Sequence, residues 1–194
     1  MKTENDIAVY IIAGGKSSRM GTEKGLVQLG EHNFIEKILL TAKKISSHIV
    51  IVSNNDAFKY LPFLVIEDDV KNQGPLRGIA TALKHSQHNK NIVLSCDIPL
   101  INENVLLYLQ NHHDKFDITV VKHQGSAEPL CGIYNKSCLS KIEELLNNEE
   151  FSIYKALANF NTQYLNIDKE EFFSPLLLSN INSPAELEKI IALI

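Results

Sequence analysis

Residues 11–25 read IIAGGKSSRMGTEKG, placing four glycines and three cations directly after the first apolar run of the chain. Glycine lets a backbone approach a ligand and take up φ values closed to other residues. Successive N–H groups in such a turn form a concave anion site, to which Lys16, Arg19 and Lys24 add full charges. The chemistry this stretch points to is phosphate binding. A plain strand-to-helix turn needs fewer glycines and no row of cations. The spacing matches neither the Walker pattern GxxxxGK followed by Ser or Thr nor GxGxxG, so this is a phosphate loop of another kind.

Three further segments place polar residues just beyond apolar runs. Glu67, Asp68 and Asp69 follow FLVI and lead into QGPLRGI; Cys96, Asp97, Ile98 and Pro99 follow NIVLS; Asn180, Ile181 and Asn182 follow PLLLS. In an open parallel sheet, ligands bind outside the carboxyl ends of the strands, so these segments should meet the glycine loop at one edge. An acid at a strand end opposite a phosphate loop is where Mg²⁺ would be held, because Mg²⁺ takes one or two carboxylates plus phosphate oxygens and water. Asp97 is that candidate metal ligand. Gly74 and Pro75 also suit a helix start, and Asn180 and Asn182 equally suit local hydrogen bonding in a loop. The chain uses 17 lysines but two arginines, Arg19 and Arg77, both in glycine-containing segments. Arginine's planar fork fits bidentate phosphate or base contacts better than lysine does. His85 and His88 share a helix face at a spacing that fits a solvated surface better than a zinc site. No Ser/His/Asp or Cys/His arrangement stands out.

The elements that must position these residues alternate. IAVYII (7–12), HIVIVS (48–53), FLVIE (63–67) and NIVLS (91–95) read as short strands covered on both faces. Between them, 33–45 carries Phe34, Ile35, Ile38, Leu39, Ala42 and Ile45 on one helical stripe, and 76–85 and 102–113 also read as helices. This alternation predicts βαβ units, a mostly parallel sheet and helices on both faces. The second half is less regular, with strands near 117–123 and 128–134, one of which can run antiparallel. Helices follow in CLSKIEELLNN and FSIYKALANF, then a last strand in TQYLNID. The final helix starts at Ser183 as N-cap and Pro184 in the first turn.

The chain's 194 residues suit one domain, spanning 1–194. A formal net charge of -4 argues against a nucleic-acid binder, and no apolar run approaches the length of a membrane span. The first ten residues, MKTENDIAVY, lack the pattern of a signal peptide. The three cysteines, Cys96, Cys131 and Cys138, form no CxxC pair and read as small buried hydrophobes. A cytoplasmic protein is expected.

IIAGGKSSRMGTEKG, GPLRGI, CDIP and NINSPAEL, in this order, resemble the molybdenum cofactor guanylyltransferases. The wider resemblance is to nucleotidyltransferases with the signature L/I-A-G-G-x-x-x-R-M-G-x-D/E-K, and it covers essentially the whole chain. Glu23 stands where the family more usually has Asp, Arg77 where it often has a small residue, and 149–157 supplies Lys155 but no arginine. The resemblance implies a three-layer α/β/α, Rossmann-like fold. It also implies transfer of GMP from GTP to the phosphate of molybdenum-molybdopterin, with release of pyrophosphate and Mg²⁺ as cofactor. Arg19, Lys24 and Asp97 would be catalytic. Ile12, Ala13, Gly14 and Gly15 would hold the nucleotide together with Lys24 and Asp97. Asn54, Asp68, Gly74 and Gly78 would complete that site, with ribose or base contacts expected of Asn54 and Asp68. Asn180 and Asn182 would face the pterin. A labile pterin makes cofactor-delivery proteins or molybdoenzyme chaperones the expected protein partners. Alternatives on the same frame are a molybdopterin cytidylyltransferase or a sugar-phosphate nucleotidylyltransferase. A nucleotide-binding module without chemistry is the rival from another class.

Overall fold

The computed structural model of the chain describes residues 7–14, 23–68, 70 and 73–193. Gly15, Arg19 and the rest of the glycine loop through residue 22 lie outside the described residues, as does Asp69. The elements run β1 (Ile7–Ile12), β2 (Gln28–Leu29), β3 (His32–Asn33), α1 (Phe34–Lys43), β4 (Ile49–Val52), β5 (Leu64–Ile66) and α2 (Gly74–His85). They continue with β6 (Lys90–Ser95), α3 (Glu103–His112), β7 (Ile118–His123), β8 (Ser126–Asn135), α4 (Leu139–Asn147), α5 (Ile153–Leu157), β9 (Thr162–Asn166) and α6 (Pro184–Ile191).

Seven strands form one sheet in the order β5-β4-β1-β6-β8-β7-β9. β8 alone is antiparallel, to both β6 and β7; the other neighbours pair in parallel. β1 sits in the middle of the parallel part and is buried along its whole length. Its alternate residues feed two cores. Ile7, Val9 and Ile11 pack with α1 and α3 on one face, while Ala8, Tyr10 and Ile12 pack with α2, α4 and α5 on the other. The expected three layers are therefore present. β5 differs from expectation: Leu64 is half exposed, because β5 is an edge strand with one neighbour rather than one covered on both faces.

Local chemistry explains the boundaries. α1 begins at a capping box, with Asn33 Oδ1 accepting from Glu36 N at 3.1 Å and Glu36 Oε2 accepting from Asn33 N at 2.9 Å. β7 turns into β8 through Gln124 and Gly125, with φ of 47° and 81°, the paired positive φ values of a tight two-residue hairpin. The short β2–β3 hairpin, which has too few residues to show a strand pattern, packs Leu29 into a small cluster with Phe34, Ile181 and Ile190. That cluster fixes the segment after the glycine loop against the segment before α6. No helix among the described residues is long and apolar enough to cross a membrane.

Candidate active site

The carboxyl ends of β1, β4 and β6 lie side by side, and backbone hydrogen bonds carry the ladder one residue beyond each. Ala13 N donates to Val52 O at 2.9 Å, Ser53 N to Ile66 O at 2.9 Å and Cys96 N to Ile12 O at 3.1 Å. The chains then part and open a cavity of about 410 Å³, within the size range of small-molecule sites. Its walls are Ile12, Ala13 and Gly14 from β1, residues 52–56 after β4, Asp68 after β5, the start of α2 and Glu23.

The cavity's polar rim is tied by specific hydrogen bonds. Ser53 Oγ, buried, donates to Ala13 O at 2.6 Å and accepts from Asn55 N at 3.1 Å. Asn55 Nδ2 donates to Glu23 Oε2 at 2.8 Å, holding that carboxylate at the wall. Asn54 Oδ1 accepts from Asp68 N at 2.9 Å, fixing Asp68 beside it. Gly74 opens α2 with a φ of 72°, a left-handed conformation that favours glycine. Arg77 forks onto Gln73 Oε1 within the same turn, at 2.8 and 2.6 Å.

Beside the cavity stands a second cluster. Lys24 Nζ lies 3.0 Å from Asp97 Oδ2 and also donates to Asn182 Oδ1. Asp97 Oδ1 is buried with no hydrogen-bond partner among the described residues. Ile181 N donates to Asp97 O at 3.1 Å, stitching the Asn180–Asn182 segment to the end of β6. His123 Nε2 and Glu128 Oε1, 3.3 Å apart, complete this side. Burial pushes the Glu128 carboxyl above its usual range; hydrogen bonds from His123 and Asn180 pull it back, and the charge of Asp97 raises it further. Burial likewise drives the Cys96 thiol up to about 12, so Cys96 is packing and not a nucleophile.

Of the expected nucleotide residues, Ile12, Ala13, Gly14, Asn54, Asp68 and Gly74 all line the cavity. Lys24 and Asp97 meet next to it, on the side of Asn180 and Asn182. Gly78 lies outside the lining, buried in α2, where a Cβ would come 3.1 Å from Ile12 Cγ2; glycine there lets helix and strand approach closely. Glu23 lines the cavity, and the His123–Glu128 pair lies near Asp97; none of the three was among the expected site residues. Among the described residues no group of three or more His, Cys, Asp or Glu could hold a metal ion, so a cation here would rest on few protein ligands.

Chemically, the cavity has room for a planar base with ribose, and Lys24 beside it offers a cation to phosphates. The model of the MobA-like NTP transferase domain matches residues 9–162. A Flavobacterium johnsoniae protein named as a probable molybdenum cofactor guanylyltransferase is 40% identical over 95% of this chain and 96% of its own. One of the same name from Carboxydothermus hydrogenoformans is 36% identical over 96% and 95%. The crystal structure of molybdopterin-guanine dinucleotide biosynthesis protein A from Archaeoglobus fulgidus superposes with a TM-score of 0.82 at 25% identity, covering 96% of this chain and 97% of that one. With the family model over residues 9–162 and relatives of 40% and 36% identity along nearly the whole length, the chain belongs to the MobA-like NTP transferase family.

Proposed function

We propose that this protein transfers GMP from GTP to the terminal phosphate of molybdenum-molybdopterin, in the cytoplasm. An oxygen of the acceptor phosphate attacks the α-phosphorus of GTP. The bond from that phosphorus to the bridging oxygen breaks, and pyrophosphate leaves with the electron pair. The reading rests above all on the Lys24–Asp97 pair, which stands between a nucleotide-sized cavity and the Asn180–Asn182 segment. Such a step asks the protein for alignment and charge neutralisation more than for covalent help.

The residues present fit a divalent cation of the Mg²⁺ type. Asp97 has a buried carboxylate oxygen without a partner, and the oxygen-rich, carboxylate-poor surroundings suit an ion that also binds substrate phosphates and water. Bound at Asp97, the ion would offset negative charge on the phosphates. Lys24, paired with Asp97, neutralises charge at the α-phosphate; Arg19 is the expected second cation. The cavity residues Gly14, Asn54 and Asp68 hold base and ribose, and Asn180 and Asn182 face the pterin. The three cysteines are free and buried, which suits a reducing compartment.

The test is pyrophosphate release by the purified protein supplied with GTP and molybdenum-molybdopterin. Release that requires both, and that falls sharply when CTP or ATP replaces GTP, is expected. Equal use of CTP would overturn the guanylyl assignment in favour of a cytidylyltransferase.

A further inference from the structure

Lys24 is gripped from both sides by one short element. It opens a turn of 3-10 helix, Lys24–Leu26, closed by Leu26 N donating to Glu23 O at 2.9 Å and Val27 N to Lys24 O at 3.1 Å. The residue before it, Glu23, accepts from Asn55 Nδ2 through Oε2 at 2.8 Å. The residue after it, Gly25, is buried under the Phe58 ring, where a Cβ would come 2.9 Å from both Cε1 and Cζ. Gly25 is not among the glycines with positive φ, so glycine is needed there for space. Asn55 and Phe58 cap and end the same 3-10 turn after β4, Asp56–Phe58.

That turn is firmly seated. Asn55 Oδ1 accepts from Ala57 N at 2.9 Å, and Asn55 N donates to Ser53 Oγ at 3.1 Å. A backbone N–H can only donate, so Oδ1 is the atom at Ala57 and the NH₂ group is the one at Glu23. Phe58 is fully buried in the core that also holds Ile35 and Leu61.

Between its two held neighbours, the Lys24 ammonium reaches Asp97 Oδ2 at 3.0 Å and Asn182 Oδ1. A lysine stem is long and flexible, so fixing the backbone on both sides narrows where the ammonium can go. Core packing alone explains Phe58 over Gly25. It does not explain an amide–carboxylate hydrogen bond on the other side of the same lysine, at the cavity wall. We propose that Glu23, Gly25, Asn55 and Phe58 form a clamp that positions Lys24 for charge neutralisation, acting on the reaction through Lys24. This rests on the guanylyltransferase reading.

Two variants open the clamp from opposite sides. Asn55→Asp keeps the cap on Ala57 N, because Asn and Asp cap alike, but turns a carboxylate oxygen toward Glu23 in place of the NH₂ group. Gly25→Ala drives a methyl against Phe58. Steady-state kinetics with GTP and molybdenum-molybdopterin, equilibrium GTP binding and thermal melts are measured for each, alone and combined with Lys24→Met. Expected in each is a kcat lowered on the order of ten- to a hundredfold, a smaller change in GTP affinity, and no further loss of kcat in the Lys24→Met background. Adding Glu23→Gln to Asn55→Asp should restore kcat, since the new amide can donate where the carboxylate could not. A kcat that holds in both variants, a fall matched by GTP affinity, or losses that multiply with Lys24→Met would overturn the clamp. If Gly25→Ala does not fold, the Asn55→Asp and Glu23→Gln pair decides, and failure of the rescue overturns the clamp. Wild-type turnover that Lys24→Met leaves intact would overturn the role of Lys24 and the clamp, with the functional reading still standing. A wild-type protein that binds GTP but does not guanylylate molybdopterin would overturn the functional reading and the clamp with it.

Discussion

Lys24 Nζ stands 3.0 Å from Asp97 Oδ2 across 73 positions of sequence, and the same ammonium reaches Asn182 Oδ1 across 158. One cation therefore joins the end of the glycine loop, the end of β6 and the segment before α6. With 18% and 21% of the side chains exposed, the ion pair is worth on the order of 1 kcal/mol to stability. Under the proposed function, its importance is to hold a cation and a carboxylate together beside the cavity.

Asp97→Asn should lower turnover on the order of a hundredfold or more, about 3 kcal/mol of transition-state stabilisation. It removes charge without removing volume, so the melting temperature should shift little. Near-normal turnover with Mg²⁺ supplied would show that Asp97 holds neither metal nor Lys24 for the reaction.

Lys24→Met should reduce kcat more than it weakens GTP binding. Lys24 does not line the cavity, whereas Glu23 before it does and is held there by Asn55. Nucleotide titration beside single-turnover rates separates the two effects. A loss confined to binding would place Lys24 on the ground-state nucleotide alone.

Ser53→Ala tests the rim. Its buried hydroxyl satisfies Ala13 O and Asn55 N at once, so the variant leaves one buried and one part-buried group short of a partner and should lose about 1–3 kcal/mol. Denaturant titration reads the loss, and KM for GTP should rise because Ala13 and Asn55 both border the cavity. Unchanged stability would mean that water replaces the hydroxyl.

The parallel half of the molecule and the gathering of polar turns at one strand edge were legible in the sequence, because fully buried strands leave continuous apolar runs and the turns beyond them concentrate glycine and acid. Lys24, Asp97 and Asn182 could be nominated from three distant segments since each follows or precedes such a run. Glu128 and His123 could not. Their closeness to Asp97 depends on an antiparallel strand and a three-residue bulge, and neither has a periodic signature. Gly78 shows a related limit: a glycine that lets helix and strand approach looks the same in sequence as one spared for a ligand.

Alkaline stability follows from the thiols. Burial raises Cys96 and Cys138 from 9.0 to about 12, and Cys131 rises further still. A group whose folded value is raised supports folding fully below its unfolded value, and that support is lost as pH climbs toward the folded value. The melting temperature should therefore fall progressively between pH 9 and about 12, and the thiols should resist alkylation at pH 8 until the chain unfolds. Rapid labelling of native protein at pH 8 would contradict this burial.

Base selection should reside at Gly14. It lines the cavity, and a Cβ built there meets nothing within 4 Å, so Gly14→Ala should fold and melt as the wild type does. The added methyl would instead stand at the cavity wall, where a purine needs close approach to the backbone. Guanine presents N1–H and 2-amino donors, for which the Asp68 carboxylate at the same wall is a natural acceptor. A nucleotide lacking those donors leaves buried acceptors unpaired, at about 1–3 kcal/mol for each lost partner. Gly14→Ala should therefore narrow the preference for GTP over CTP while leaving stability alone. Gly74→Ala provides the contrast, since its φ of 72° should make alanine there cost roughly 1–2 kcal/mol of stability. Competition of labelled GTP against CTP, with thermal melts of both variants, reads the two effects separately. If Gly14→Ala keeps the full preference with an unchanged melt, the base does not sit against β1, and its selection must be sought at Glu23 and the start of α2.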